Sequence, residues 1–143
     1  MGMQKQGYFN INFLDFPTTN NKDKAQFKKY FIEYTPSKWD VGSGGASFVY
    51  FDANNQKYSL VVIENPKYGF CLMYDPSLNG CYSLGNTELL NKFFDDDTTM
   101  PIGAYISPEL AWLAVEDFLD NPYLPSNRIN WINDDDIPDS DSW

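Results

Sequence analysis

The sequence predicts an α+β protein, an antiparallel β-meander or sheet packed against two main helices as a single pair of layers. Three observations carry that expectation. Phe9, Ile11 and Phe13 alternate along residues 7–16; three strand-like runs separated by turn signals fill residues 48–74; and an apolar stripe of helical period follows a strong helix start at Ser107.

The elements follow in chain order. The alternating Phe9, Ile11 and Phe13 have the period of a half-buried strand, which the turn-rich Thr-Thr-Asn-Asn after Pro17 ends. From Lys22 to Tyr34 the apolar residues Phe27, Tyr30, Phe31 and Tyr34 fall at i, i+3, i+4 and i+7, with Lys24, Lys28 and Lys29 on the other face. That spacing predicts an amphipathic helix. Residues 36–47, rich in Gly, Ser and Pro, read as a flexible loop leading into the sheet. Gly42, Gly44 and Gly45 do not make a phosphate loop, because no Gly-Lys-Ser/Thr ending follows them.

The runs Phe48 to Phe51, Tyr58 to Glu64 and Gly69 to Tyr74 then predict three antiparallel strands, and Cys81 to Leu84 a short fourth. Thr87 to Phe94 suits a short helix or a strand, and Ile102 to Ile106 an edge strand. In Ser107-Pro108-Glu109 a cap, a first-turn proline and a first-turn acid start a helix that reaches about Asp120 and is stopped by Asn121-Pro122. Its stripe is Ala111, Ala114, Val115, Phe118 and Leu119. Residues 127–133, with Ile129 and Trp131, read as a last strand. The expected organisation is one domain over residues 1–133 and an acidic, mobile tail over 134–143.

Charge is distributed unevenly. The chain carries a net charge of −10, yet residues 1–92 hold nine Lys and eight acids, whereas residues 93–143 hold twelve acids against Arg128 alone. Such a field repels nucleic acid and anionic lipid and attracts basic proteins, at rates that fall as salt rises. No run of apolar residues is long enough for a membrane span, and the start lacks the order of a secretory signal, so a cytoplasmic location is expected. Two cysteines, Cys71 and Cys81, flank a turn; free buried thiols are expected there, with a hairpin disulfide as the alternative.

The chain contains no histidine. That removes the usual general base, the usual zinc ligand and every Ser-His or Cys-His pair, and no enzymatic activity and no cofactor are expected. Asp95-Asp96-Asp97 and Asp134-Asp135-Asp136 offer oxygen ligands but lack the alternating spacing and glycine of a calcium loop, so they are read as solvated acidic surface without a metal. Most of the aromatic residues belong to the core. Trp39, placed in a loop, and Trp143, in the tail, are expected to be contact residues.

The C-terminal third resembles a known family. Ile106-Ser107-Pro108-Glu109-Leu110-Ala111, Ala114-Val115-Glu116-Asp117-Phe118-Leu119, Pro125 and Ile129-Asn130-Trp131 resemble the closing signature of the family numbered one among bacterial polymorphic-toxin immunity proteins. The likeness covers residues 106–131, and Asn121-Pro122-Tyr123 departs from the small turn usual there. The resemblance implies an antitoxin of interbacterial competition that binds a cognate toxin, often a nuclease or nucleic-acid deaminase, and blocks it. The partner-binding residues expected are Asp95, Asp96, Asp97, Glu116, Asp117, Asp120, Asp134, Asp135 and Asp136 for the field, with Trp39, Trp143 or a nearby Tyr as anchor. Two other classes fit the composition: an acidic nucleic-acid mimic with a non-toxin target, and a carboxylate enzyme dependent on a divalent cation.

Overall fold

Six strands, each paired with the next in chain order, form one antiparallel sheet in the computed structural model of the protein, which describes residues 7–40, 45–75, 80–90, 101–133 and 136. They are β1 (Tyr8–Phe13), β2 (Gly45–Phe51), β3 (Lys57–Asn65), β4 (Gly69–Asp75), β5 (Cys81–Leu84) and β6 (Asn130–Asn133). Helices α1 (Ala25–Ile32) and α2 (Pro36–Trp39) lie between β1 and β2, and α3 (Pro108–Asp120) lies between β5 and β6. The α+β class is therefore as expected. Among the described residues no helix is long and apolar enough to cross a membrane.

The strands form where alternation lets one side chain in two reach the helices. Phe9, Ile11 and Phe13 of β1, Ala46 and Phe48 of β2, Leu60 and Val62 of β3, and Phe70, Leu72 and Tyr74 of β4 are buried on that face. Against them pack Phe27 and Phe31 of α1 and the α3 stripe Ala111, Ala114, Val115, Phe118 and Leu119. The α3 stripe is wider than its spacing implied. Trp112 is also buried, tilted against the Phe31 ring at 5.7 Å, because α1 lies along that flank.

Asn and Asp side chains hold the tight connections. Asp52 Oδ1 accepts hydrogen bonds from the backbone N–H groups of Asn54 and Gln56, each at 2.8 Å, closing the β2–β3 turn. Asn65 Oδ1 accepts from the Lys67 N–H at 2.8 Å, and the chain re-enters β4 through Gly69 at φ +100°. Glycine is required at 69 twice over, since a Cβ there would also lie 2.3 Å from the Ile106 carbonyl oxygen.

Two expected elements are corrected. Residues 36–47 are not one loop: Pro36 starts the single turn α2, Trp39 ends it inside the core, and β2 begins already at Gly45. Ile102 to Ile106 is not an edge strand; it holds a 3₁₀ turn at Ile102–Ala104 and one bridge from Ile106 to Phe70. The cause is Ser83, whose hydroxyl accepts from the Leu72 N–H at 2.9 Å and donates to the Ala104 carbonyl at 2.7 Å. β4 and β5 pair only at Met73↔Tyr82 and Tyr74↔Cys81, then diverge, and the Ala104–Ile106 backbone enters the gap. A 3₁₀ turn also spans Thr87–Leu89, while residues 91–94 of the run expected to follow it lie outside the described residues. Cys71 and Cys81 are free; Cys71 is buried and Cys81 half-buried, and burial pushes their thiols up to about 12 and about 11.

Candidate functional site

Helix α3 ends with acids where its own dipole disfavours them, since Asp117 and Asp120 lie in the last turn, which holds no basic residue. Two cations from distant segments compensate. Arg128 forms a fork on Asp117, with Nε 2.9 Å from Oδ2 and Nη2 2.6 Å from Oδ1, and the same Nη2 donates to Glu116 Oε1 at 2.8 Å and to the Leu113 carbonyl at 3.3 Å. Lys24, just before α1, lies 3.0 Å from Asp120 and 3.8 Å from Glu116. Ser126 Oγ donates to Asp117 at 2.5 Å and accepts from the Arg128 N–H at 3.1 Å. The network fastens α1, α3 and the approach to β6 together.

Burial opposes ionisation of Asp117, but hydrogen bonds from Arg128 and Ser126 and the charges of Arg128 and Lys24 overcome it and hold the carboxyl below its ordinary value. A carboxyl lowered on folding contributes stability that is complete above its unfolded value of about 3.9 and is lost as pH falls through the folded value. Asp117→Asn is therefore expected to cost about 1–2 kcal/mol at neutral pH, discounted for partial exposure. Urea denaturation of both proteins across the acid range should show that difference vanish at the lowest pH.

The segment after α3 is pinned from below and open above. The Tyr74 hydroxyl donates to the Pro122 carbonyl at 2.8 Å, and Asn121 Oδ1 accepts from the Tyr123 N–H at 3.2 Å. The Tyr123 ring meets Tyr58 edge-on at 5.0 Å and Tyr50 at 5.7 Å, and a hydrogen bond with Tyr50 is the main cause that pushes its hydroxyl up to about 12. Yet Tyr123 is 47% exposed and Leu124 63%, the most exposed large hydrophobic side chain among the described residues. Leu124 and Pro125 form the apolar wall of a depression of about 370 Å³ that is otherwise lined by Asp117, Asp120, Ser126 and Arg128. A rigid aromatic beside an exposed leucine and a polar rim has the makeup of a protein-binding hot spot.

No protein-family model, curated protein or solved structure matches this chain.

Of the expected partner-binding residues, Glu116, Asp117 and Asp120 are brought together here, but with Lys24 and Arg128 at hand the five groups sum to only −1. They anchor the corner more than they charge it. Trp39 is corrected outright: it is completely buried rather than exposed in a loop, and its Nε1 donates to the Tyr30 carbonyl at 3.0 Å. Asp95, Asp96, Asp97, Asp134, Asp135 and Trp143 lie outside the described residues; Asp136 is exposed. The anchor that was foreseen only as a nearby tyrosine has a specific candidate in Tyr123, and Leu124 was missed altogether. The available signal was two apolar residues, Tyr-Leu, between prolines in an otherwise polar connection. Among the described residues no group of three or more Cys, Asp or Glu is arranged to hold a metal ion.

Proposed function

We propose that the protein is an antitoxin, an immunity protein that binds a cognate bacterial toxin domain and neutralises it without catalysis. The observation that carries this reading is the exposed Tyr123–Leu124 pair, held in place by Tyr50, Tyr58 and Tyr74 at the end of α3. The resemblance of residues 106–131 to the immunity family supports it. So does the absence of histidine from the whole chain.

The partner is a basic domain, a nuclease or nucleic-acid deaminase, whose nucleic-acid-binding surface the acidic third covers. Register places Asn133 opposite Cys81 and Cys81 opposite Tyr74, so β6 ends at the same end of the sheet as the Tyr74–Pro122 contact. With the α3 acids largely compensated, long-range attraction falls to the acidic runs Asp95–Asp97 and Asp134–Asp136. The aromatic pair then holds the complex once formed, and charge governs how fast it forms.

Co-expression of this protein with the toxin domain encoded beside it should restore growth to a host that the toxin alone stops; continued growth arrest would refute the reading. Replacing Asp134, Asp135 and Asp136 by Asn should slow association with that domain roughly threefold to tenfold at low salt and flatten its salt dependence. Stopped-flow mixing measures both.

A further inference from the structure

Residues 121–128, which present Tyr123 and Leu124, are fastened at both ends to one residue of α3. At the start the Asp117 carbonyl accepts the Asn121 N–H at 2.8 Å; at the end the Asp117 carboxylate accepts Ser126 Oγ at 2.5 Å and Arg128 Nε at 2.9 Å. Two further hydrogen bonds tie the loop to the sheet. The Tyr74 hydroxyl donates to the Pro122 carbonyl at 2.8 Å, and the Trp131 indole Nε1 donates to the Ser126 carbonyl at 2.7 Å. Burial follows these ties: Pro122 and Ser126 are buried and Pro125 half-buried, whereas Tyr123 and Leu124 between them stand out. Pro122 and Pro125 fix their own φ and restrict Asn121 and Leu124 before them, so the backbone at the apex has little freedom left.

Exposed connections are ordinarily the least fastened parts of a fold. Here the ties converge on a leucine that gains little from folding, since most of it faces solvent. Their benefit falls on binding: a loop already ordered loses no freedom when a partner arrives, and affinity is not reduced by the fraction of time spent in other conformations.

We propose that Asp117, Ser126 and Tyr74 are positioning residues of the binding corner, which clasp residues 121–128 so that Tyr123 and Leu124 meet the partner as a preformed knob. The partner's identity rests on the antitoxin reading; a convex apolar knob calls for a concave apolar seat on the toxin domain. Ser126 and Tyr74 are 4% and 3% exposed, so their hydroxyls act on a partner only through the loop.

The test is the double variant Tyr74→Phe/Ser126→Ala, which removes both hydroxyls and keeps the Tyr74 ring on Phe118 and Trp131. In the full chain without partner, amide relaxation at Tyr123 and Leu124 should give order parameters near the rigid value of about 0.85, falling toward about 0.6 in the variant. Affinity for the toxin domain encoded beside the chain should fall about tenfold. That loss should vanish when the same two substitutions are made in the Tyr123→Ala/Leu124→Ala background, because a clasp acts only through the pair it presents. Circular dichroism and melting temperature check the fold. Should the double variant unfold, Tyr74→Phe alone should give the same pattern with a loss of about threefold. Unchanged order parameters, unchanged affinity, or a loss that persists in full without Tyr123 and Leu124 would overturn the proposal. Failure of the wild-type chain to bind the toxin domain would instead overturn the antitoxin reading, and relaxation would still decide whether the clasp orders the loop.

Discussion

Trp39→Ala should be the most destabilising single change, costing about 3–5 kcal/mol. The side chain is completely enclosed, with ring neighbours Phe70 at 4.8 Å, Phe31 at 5.2 Å and Phe13 at 5.3 Å. It joins α1, β1 and β4, so removing it opens a cavity where several elements meet and none can close the gap alone. It also leaves the Tyr30 carbonyl without its indole donor. Trp39→Phe should fall between the two, refilling most of the volume without restoring the hydrogen bond. Chemical denaturation at neutral pH measures both, and a loss below about 1 kcal/mol for the alanine variant would show that this aromatic core is not assembled as described.

The second large effect falls on binding and spares stability. Tyr123→Ala combined with Leu124→Ala removes side chains that are about half exposed or more, so unfolding should shift by no more than about 1 kcal/mol. Affinity for the toxin domain should fall roughly 30-fold to 100-fold, the loss expected at a central aromatic anchor with an apolar neighbour. The loss should appear chiefly as faster dissociation. That separates it from the Asp134–Asp136 substitutions, whose effect is on association. Calorimetry paired with surface-based kinetics distinguishes the two, and an unchanged dissociation rate in the double variant would remove Tyr123 and Leu124 from the interface.

Periodicity made most of the architecture legible. The alternation of Phe9, Ile11 and Phe13 and the stripe from Ala111 to Leu119 each point to one face, and each of those residues is buried. Local chemistry was legible too, as in the Ser107 cap, whose hydroxyl accepts from the Leu110 N–H at 3.3 Å. Composition misled at residues 36–47, where glycine and serine suggested a loop; tertiary burial of Trp39 and pairing of Ala46 and Ser47 with Val62 and Val61 outweighed local preference. The compensation of the α3 acids was hidden for a related reason. Counting charges gives their sum, but the compensation comes from Lys24, 96 residues before Asp120, and from the chain's one arginine beyond the helix. Leu124 was only half legible: Tyr-Leu between prolines marks an apolar pair in a polar connection, but it reads the same in sequence whether it faces the core or solvent.

Capture of native partners by the tagged full chain, at low and moderate salt, with the Tyr123→Ala/Leu124→Ala protein in parallel, tests the central claim most directly. The account predicts one basic partner held in stoichiometric amount by the wild-type chain, lost from the double variant, and toxic to a host that lacks this protein. Recovery of only abundant basic proteins, held equally by both chains and shed together as salt rises, would contradict it.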